Sequence, residues 1–188
     1  MNIVRISCIF FLTLAVSNVS AAADALNHYT TLTLLEGDWV LSPAAEQEGG
    51  ATKKGPAAKL VGTTITAISF KVVGKGSAIQ ENLLPGTGKE MVTIYHCNNF
   101  NDCSQVLSKH YCAMQNQPEL VLDAANTSGN AIAMVCDMNT SLCNSFEGHV
   151  HMIKHELSQG SSNQLQLYRR QIQILAVGRD CPYPYTPG

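Results

Sequence analysis

The chain has 188 residues, with 12 basic and 14 acidic side chains and a formal net charge of −2. This weakly acidic balance argues against nucleic acid or an anionic membrane surface as a partner. Glycine and proline occur in ordinary numbers and no repeat is present, so the composition excludes fibrous and low-complexity chains and predicts one folded domain.

Residues 1–23 have the pattern of a secretory signal peptide. Arg5 supplies the positive charge, residues 8–16 form an apolar core too short to cross a bilayer, and small residues follow. Cleavage is expected between Ala21 and Asp24. No later stretch approaches the roughly 18 apolar residues of a transmembrane segment. We therefore expect an exported protein, periplasmic or secreted, with its domain at 24–176 and a tail at 177–188.

The cysteines agree with export. All of them except Cys8 remain in the predicted mature chain, namely Cys97, Cys103, Cys112, Cys136, Cys143 and Cys181. The pairs Cys97/Cys103 and Cys136/Cys143 bracket the turns of predicted hairpins, where two paired strands bring Cα atoms within bridging range. A zinc site prefers shorter spacing within each cysteine pair. We predict two disulfides here, and the sequence leaves the pairing of Cys112 and Cys181 open.

In chain order, a lead at 24–35 that favours one or two helical turns precedes a series of short, β-branched segments separated by turn residues. The segments cover 35–41, 63–73, 77–84, 91–97, 105–113, 118–124, 131–136, 147–157 and 164–174. Such spacing is typical of an antiparallel barrel or a sandwich, and closure into a barrel leaves no edge strand unpaired. We predict an all-β fold, a closed antiparallel barrel of about 8–10 strands with a short N-terminal helix.

Two motifs resemble lipocalins. Gly37-x-Trp39 after a helical lead is similar to the lipocalin opening motif, whose tryptophan closes one barrel end beneath an arginine, for which Arg169 or Arg170 would serve. The order GSA…E…PG…EMVT-x-YH…HYC…NQP, over 76–118, is similar to that of a family of bacterial lipocalin-like proteins. The resemblance implies a calycin-type barrel and no particular reaction. The two predicted disulfides depart from the family pattern.

Histidines mark the predicted cavity wall. Because side chains alternate along a strand, we expect His96 to share a face with Val92 and Ile94. We expect His110 to share a face with Val106, Ser108 and Cys112. His149, His151 and His155 are expected to point the same way along 147–157. Two or three of these histidines could bind a transition metal or haem iron; alternatively, they line a polar cavity or lie on the surface.

Two other polar positions are candidates for ligand contacts. Glu81 shares a face with Ile79 and Leu83, where a carboxylate needs a partner. It would act as an acid or base beside a histidine, or form a structural ion pair with Arg169 or Lys154. Asn116-Gln117 precedes Pro118, which is typical of a turn; at a barrel mouth the same loop would gate a ligand.

We therefore expect an exported lipocalin-like protein that binds a small, mostly apolar molecule in the barrel lumen, with no cofactor specified. The candidate ligand-binding residues are Glu81, His96, His110, Asn116, Gln117, His149 and His151. The alternatives are a haem- or metal-binding barrel that uses histidines, and a packed barrel that acts as an interaction protein. The sequence carries no nucleophile or nucleotide-binding motif, so catalysis, as a small-substrate isomerase or hydrolase, is the last alternative.

Overall fold

The computed structural model describes residues 17–41, 57–99, 101–159 and 165–175, with side chains at 24–41, 57–99 and 101–157. The described part contains one α-helix, two short 3₁₀ turns and nine strands. They are α1 (Ser17–Thr33), β1 (Gly37–Trp39), the turn Ala57–Leu60, β2 (Ile68–Val73), the turn Gly74–Gly76, β3 (Ala78–Leu83), β4 (Met91–Cys97), β5 (Val106–Tyr111), β6 (Glu119–Leu122), β7 (Ala131–Cys136), β8 (His149–Gln159) and β9 (Leu165–Leu175). No helix in these ranges is long and apolar enough to cross a membrane.

The strands form one antiparallel sheet in which each strand pairs with its neighbours in the chain, in the order β1 to β9. The predicted all-β class is therefore confirmed, and β4 and β7 have the bounds that the sequence predicts. Among the described residues no ladder joins β9 back to β1, so the sheet is barrel-like and open rather than the closed barrel of the prediction.

Contacts through the concave side show how strongly the sheet curves. Tyr95 on β4 lies with its hydroxyl oxygen 3.0 Å from Nε2 of His155 on β8. The Phe70 ring on β2 packs edge-on against the same imidazole, with 5.6 Å between ring centroids. Strands that are far apart in the sheet order therefore meet through their inward side chains, and the hydrophobic core lies between them.

Helix α1 lies at the end of the sheet that carries the β2–β3 turn, which we call the helix end. Ala25, Tyr29 and Leu32 form its buried face, and the helix contacts β4 and β5. The Tyr29 hydroxyl donates to the carbonyl of Gly76 at 2.8 Å. Burial raises the pKa of Tyr29, so the phenol stays protonated as a donor. The helix begins earlier than the predicted lead, at Ser17, but its described buried face lies after the predicted cleavage site.

The opposite end carries the β3–β4, β5–β6 and β7–β8 connections, and we call it the loop end. The two predicted disulfides are present, one at each end. Cys97–Cys103 closes the β4–β5 turn at the helix end with a Cα–Cα distance of 5.1 Å. Cys136–Cys143 lies at the loop end with a distance of 5.6 Å. Cys181, like the tail at 177–188, the first 16 residues and most of the 42–62 loop, lies outside the described residues.

The inner face of β4 is opposite to the predicted one. Thr93 and Tyr95 are at most 1% exposed, whereas Val92, Ile94 and His96 are only half-buried. Hydrophobic alternation favoured the Val92 face, but hydrogen-bonding partners inside the sheet make burial of Thr93 and Tyr95 favourable.

Strand β8 also departs from strict alternation. His149 and Val150 are both buried, and the register with β9 shifts between Val150 and Met152. This β-bulge separates His149 from the regular inward series Ile153 and His155, so the three histidines do not share one face as predicted.

Candidate functional site

A buried cluster of Glu81, Tyr95 and His155 occupies the inside of the sheet. The Tyr95 hydroxyl donates to Oε2 of Glu81 at 2.6 Å, and its oxygen lies 3.0 Å from Nε2 of His155. Because the hydroxyl proton is directed to Glu81, the Tyr95 oxygen accepts from His155, which places a proton on Nε2. His155 Nε2 and Glu81 Oε2 are 3.8 Å apart. The three side chains form a polarised chain of donors and acceptors.

Strand register explains why polar side chains meet at this level. Phe70 pairs with Glu81, Glu81 with Thr93, and Thr93 with His110, so β2 to β5 contribute one rung of inward side chains. Within that rung Thr93 Oγ1 lies 2.9 Å from Nδ1 of His110. Both are buried, and a cross-strand hydrogen bond of this kind satisfies polar groups that the sheet removes from water. Together with the Glu81, Tyr95 and His155 cluster, this rung places five buried polar side chains inside an apolar core. We call these five residues the polar floor: Glu81, Thr93, Tyr95, His110 and His155.

Burial decides how strongly these groups interact. Glu81 and His155 are both 0% exposed. Taking a carboxylate out of water costs several kcal/mol unless hydrogen bonds and opposite charge compensate, so the Tyr95 hydroxyl and the nearby imidazole are needed for Glu81 to be stable there. Of the two ion pairs predicted for Glu81, the one with Lys154 is wrong, because Lys154 pairs with Glu156 at 3.1 Å. The side chain of Arg169 lies outside the described residues.

Next to the polar floor, on its loop-end side, apolar residues that are less buried follow on β3, on β4 and just after β5. Leu83, Met91 and Cys112 continue the inward faces of Glu81, Thr93 and His110, and each is half-buried. Leu83 pairs with Met91 across β3 and β4, and Cys112 Sγ lies 3.9 Å from the Met91 sulfur. We call these three residues the apolar collar.

Buried polar atoms without a hydrogen-bond partner within the described ranges include the Oγ of Ser108, a residue that is 2% exposed, and Oδ1 of Asn116. Ser108 pairs with Tyr95 and Leu120, next to the polar floor. Asn116 lies at the loop end, where its Nδ2 donates to the carbonyl of Gly148 at 2.7 Å and ties the β5–β6 loop to the start of β8. Each free acceptor is a position for a bound water or a ligand group.

The predicted site residues fall into three places. Glu81 and His110 lie in the polar floor, and Asn116, His149 and His151 lie at the loop end. Gln117 is exposed on the loop beside Asn116. His96 lies on the other face of β4, half-buried, with Nδ1 3.0 Å from the carbonyl of Cys97.

Sequence reasoning missed Tyr95 and His155 as site residues. The alternation expected for β4 puts Val92, Ile94 and His96 inward and therefore leaves Tyr95 on the opposite face. His155 is expected only as the last of three histidines along 147–157. The signal that would have found Tyr95 is the pairing register itself, since Glu81 on the inner face requires a donor from the neighbouring strand. The contact with His155, 60 residues away, had no local signal.

No protein-family model, curated protein or solved structure matches this chain.

Proposed function

We propose that the protein is exported and binds a small, mostly apolar molecule inside the barrel-like sheet, entered from the loop end. The observation that carries the proposal is the polar floor, in which Tyr95 joins Glu81 to His155, beneath the half-buried apolar collar. Ligand sites in proteins are mostly apolar, with a few convergent polar groups that fix orientation. The apolar body of the molecule would contact the collar, and its polar group would reach the floor.

Stability alone does not account for the polar floor. Replacing a buried ionic group by apolar side chains of similar volume is often neutral or stabilising. A core built only for packing would therefore not need a carboxylate at Glu81. The unpartnered Ser108 hydroxyl beside the floor supports the same conclusion, because a ligand group would satisfy it.

The floor also indicates what kind of polar group is bound. Glu81 accepts the hydrogen bond of the Tyr95 hydroxyl, and the Ser108 hydroxyl oxygen is an acceptor without a partner among the described residues. A hydroxyl or amine group on the ligand would be complementary, whereas a ligand carboxylate would meet like charge. Closure of the sheet by pairing of β1 with β9 is part of this proposal, since a closed wall would enclose the apolar body.

The experiment is a titration of the purified mature protein with three amphiphiles of equal chain length, an alcohol, an amine and a carboxylate, followed by displacement of anilinonaphthalene sulfonate. Leu83→Trp fills the apolar collar and should weaken binding at least about tenfold, since it overfills a packed passage. Tyr111→Trp is the matched control, because Tyr111 is exposed at the same end of β5, the second strand from β3 in the sheet.

We expect the alcohol and the amine to bind more tightly than the carboxylate, and Leu83→Trp to lose binding that Tyr111→Trp keeps. Equal loss in both variants would place the probe on the outer surface and contradict the proposal.

The haem alternative is tested in the same preparations by the absorbance spectrum after addition of haemin, with His110→Ala beside the wild type.

A packed barrel that acts through its outer surface is the second candidate. It is favoured by the full burial of the floor, where Glu81, Tyr95, His110 and His155 are all 0% exposed. Failure of every amphiphile to bind would favour this function. Two exposed side chains of the β7–β8 loop, Met138 and Phe146, are the first positions for substitution in that case.

A further inference from the structure

A second cluster of potential metal ligands lies at the loop end, apart from the polar floor. It joins the end of β7, the β7–β8 loop and the start of β8. The sulfurs of Cys136 and Cys143 and a ring nitrogen of His149 all lie within 4.8 Å of one another, and all three residues are buried. His151 follows, with its Nδ1 3.4 Å from Nε2 of His149. We call these four residues the Cys-His cluster.

The separations suit a tetrahedral ion. Zinc lies about 2.3 Å from sulfur and 2.0–2.1 Å from nitrogen, so ligand atoms around one tetrahedral zinc are roughly 3.3–3.8 Å apart. The two imidazole nitrogens already have this separation, 3.4 Å. After reduction the two sulfurs would move apart from their bonded positions, and both already lie within 4.8 Å of a ring nitrogen of His149. His151 lies outside that group of three and would complete the set from its position beside His149.

The hydrogen bonding of His149 resembles that of a metal ligand. Its Nδ1 lies 2.7 Å from the carbonyl of Glu147, which can only accept, so Nδ1 carries the proton. The lone pair is therefore on Nε2, the nitrogen that faces His151. Histidines that bind metals commonly donate their other nitrogen to a backbone carbonyl in this way, which fixes the tautomer and orients the ring.

We propose that the Cys-His cluster is a redox-dependent metal site, in which reduced Cys136 and Cys143 bind one zinc-class divalent cation together with His149 and His151. The Cys136–Cys143 disulfide is the other state of the same residues. A disulfide has no thiolate to donate, so the two states exclude each other.

The conversion balances with a dithiol as reductant. The external dithiol supplies two electrons and two protons, becomes a disulfide, and the Cys136–Cys143 bond breaks to give two thiols. Binding of the divalent cation then releases both thiol protons to solvent, so the two thiolates neutralise the cation. Re-oxidation by a disulfide returns both electrons, restores the S–S bond and releases the ion.

The test uses the mature protein in oxidised form and after reduction with a phosphine, which reduces disulfides and leaves no competing thiol. Cobalt is titrated under anaerobic conditions, and thiolate-to-cobalt charge-transfer absorption is recorded; zinc binding is followed by native mass spectrometry. We expect one ion per reduced chain and none per oxidised chain. His149→Ala should weaken zinc binding more than about 100-fold, since changes outside the ligand shell already cost 10–100-fold. His151→Ala should weaken it less, because water can take the fourth position.

The matched control is the other disulfide. Cys97→Ser/Cys103→Ser removes a pair of similar spacing at the helix end and should leave cobalt absorption unchanged, whereas Cys136→Ser/Cys143→Ser should abolish it. If that variant fails to fold, alkylation of the reduced wild type decides: zinc should protect Cys136 and Cys143 and leave Cys97 and Cys103 reactive. Equal alkylation of both pairs with zinc present, or cobalt absorption unaffected by His149→Ala, would overturn the proposal.

Discussion

Tyr95 makes more of the described inward contacts than its neighbours on β4. Its hydroxyl joins Glu81 on β3 to His155 on β8, and the ring lies edge-on to that imidazole with 6.0 Å between centroids. The side chain is fully buried. A single hydroxyl group therefore connects β3 to β8 across the inside of the sheet and provides a hydrogen bond to a buried carboxylate.

Tyr95→Phe should lower the free energy of unfolding by about 1–3 kcal/mol, because Glu81 loses a hydrogen bond that it cannot replace with water. Urea denaturation of the mature protein measures the change. Tyr111→Phe is the control, since Tyr111 is exposed, and its effect should stay within about 0.5 kcal/mol. Equal stabilities of the two variants would show that the Tyr95–Glu81 bond contributes nothing net.

His151 gives the protein a pH-dependent stability. Its folded pKa lies below the ordinary value of 6.5, so the unfolded chain binds more protons as the pH falls through that value. We expect the contribution of His151 to be fully present above pH 6.5 and to be lost as the pH falls towards the folded pKa. NMR titration of the ring and urea denaturation at several pH values measure the two quantities.

His149→Ala is the matched variant for that titration. It removes the electrostatic contribution of His149, so the pKa of His151 should rise towards its ordinary value, while burial, the larger cause, still holds it lower. A titration of His151 that does not change in His149→Ala would contradict the electrostatic contribution.

Residue chemistry in the candidate site was predictable only where one strand supplied the signal. Glu81 and His110 were identified because each is polar at an inward position of a strand whose alternation was correct. On β4 alternation favoured the more hydrophobic Val92 face, and the inner face was decided instead by the hydrogen bonds of Thr93 and Tyr95. The alternation of side chains along one strand does not predict which residues of other strands will be their hydrogen-bond partners.

At the scale of elements, helix α1 is held to the sheet by an apolar face and, among the side chains described, by one hydrogen bond. Tyr29 contributes to both, through its buried ring and its bond to the carbonyl of Gly76. Trp39 lies just after the helix, with Nε1 donating to the carbonyl of Leu35 at 2.9 Å, so its fluorescence reports on the segment that joins the helix to the sheet.

Tyr29→Phe should reduce the free energy of unfolding by about 0.5–1.5 kcal/mol, the net contribution of one hydrogen bond, because the ring still packs. Thermal and urea unfolding monitored by the single tryptophan provide the measurement. Tyr29→Ala should cost about 3–5 kcal/mol, since it also removes a buried aromatic ring. A Tyr29→Ala variant no less stable than Tyr29→Phe would mean that the helix does not contribute to the core.

The two disulfides should stabilise the fold to a similar extent. They close loops of nearly equal length, with sequence separations of 6 and 7. Chain-entropy arguments give about 2.4 kcal/mol for a loop of this size. We therefore expect Cys97→Ser/Cys103→Ser to lower the free energy of unfolding by about that amount, measured in urea. An effect below about 0.5 kcal/mol would show that the β4–β5 turn is already ordered without its bridge.

Element boundaries were largely predictable because turn residues separate the strands. The β7 segment, AIAMVC, is bounded by Asn130 and Asp137, and its predicted bounds match. The β-bulge in β8 could not be predicted, because His149 to His155 reads as regular alternation in the sequence and the shift arises in pairing with β9.

For the molecule as a whole, the class was predictable and the extent of closure was not. Many short strands with intervening turns indicate an antiparallel sheet whatever their exact pairing. Whether the first and last strands meet depends on curvature, which results from inward contacts such as Phe70 with His155. No local pattern in either strand encodes that contact.

Because every ladder joins strands adjacent in the chain, the sheet has a simple order of assembly. Each hairpin requires closure of only a short loop, so the topology favours rapid formation of local pairs. The contact between Tyr95 and His155 spans 60 residues and requires β5, β6 and β7 to be present between its two strands. It should therefore form late.

His155→Ala should accordingly raise the unfolding rate and leave the folding rate nearly unchanged. Stopped-flow folding over a range of urea concentrations measures both rates. Ile79→Ala, in the local β3–β4 hairpin, is the comparison and should slow folding, because Ile79 pairs directly with Tyr95. A folding rate reduced as much by His155→Ala as by Ile79→Ala would mean that curvature develops before the transition state.

This order of assembly has a consequence for the lifetime of the folded protein. Contacts that form after the folding barrier set the rate at which the native state opens, so kinetic persistence depends on the same few buried polar side chains that form the floor of the candidate site. A substitution that improves ligand binding by rebuilding this floor would therefore also change how long the protein survives proteases. Resistance to proteolysis and ligand choice would evolve together in this molecule.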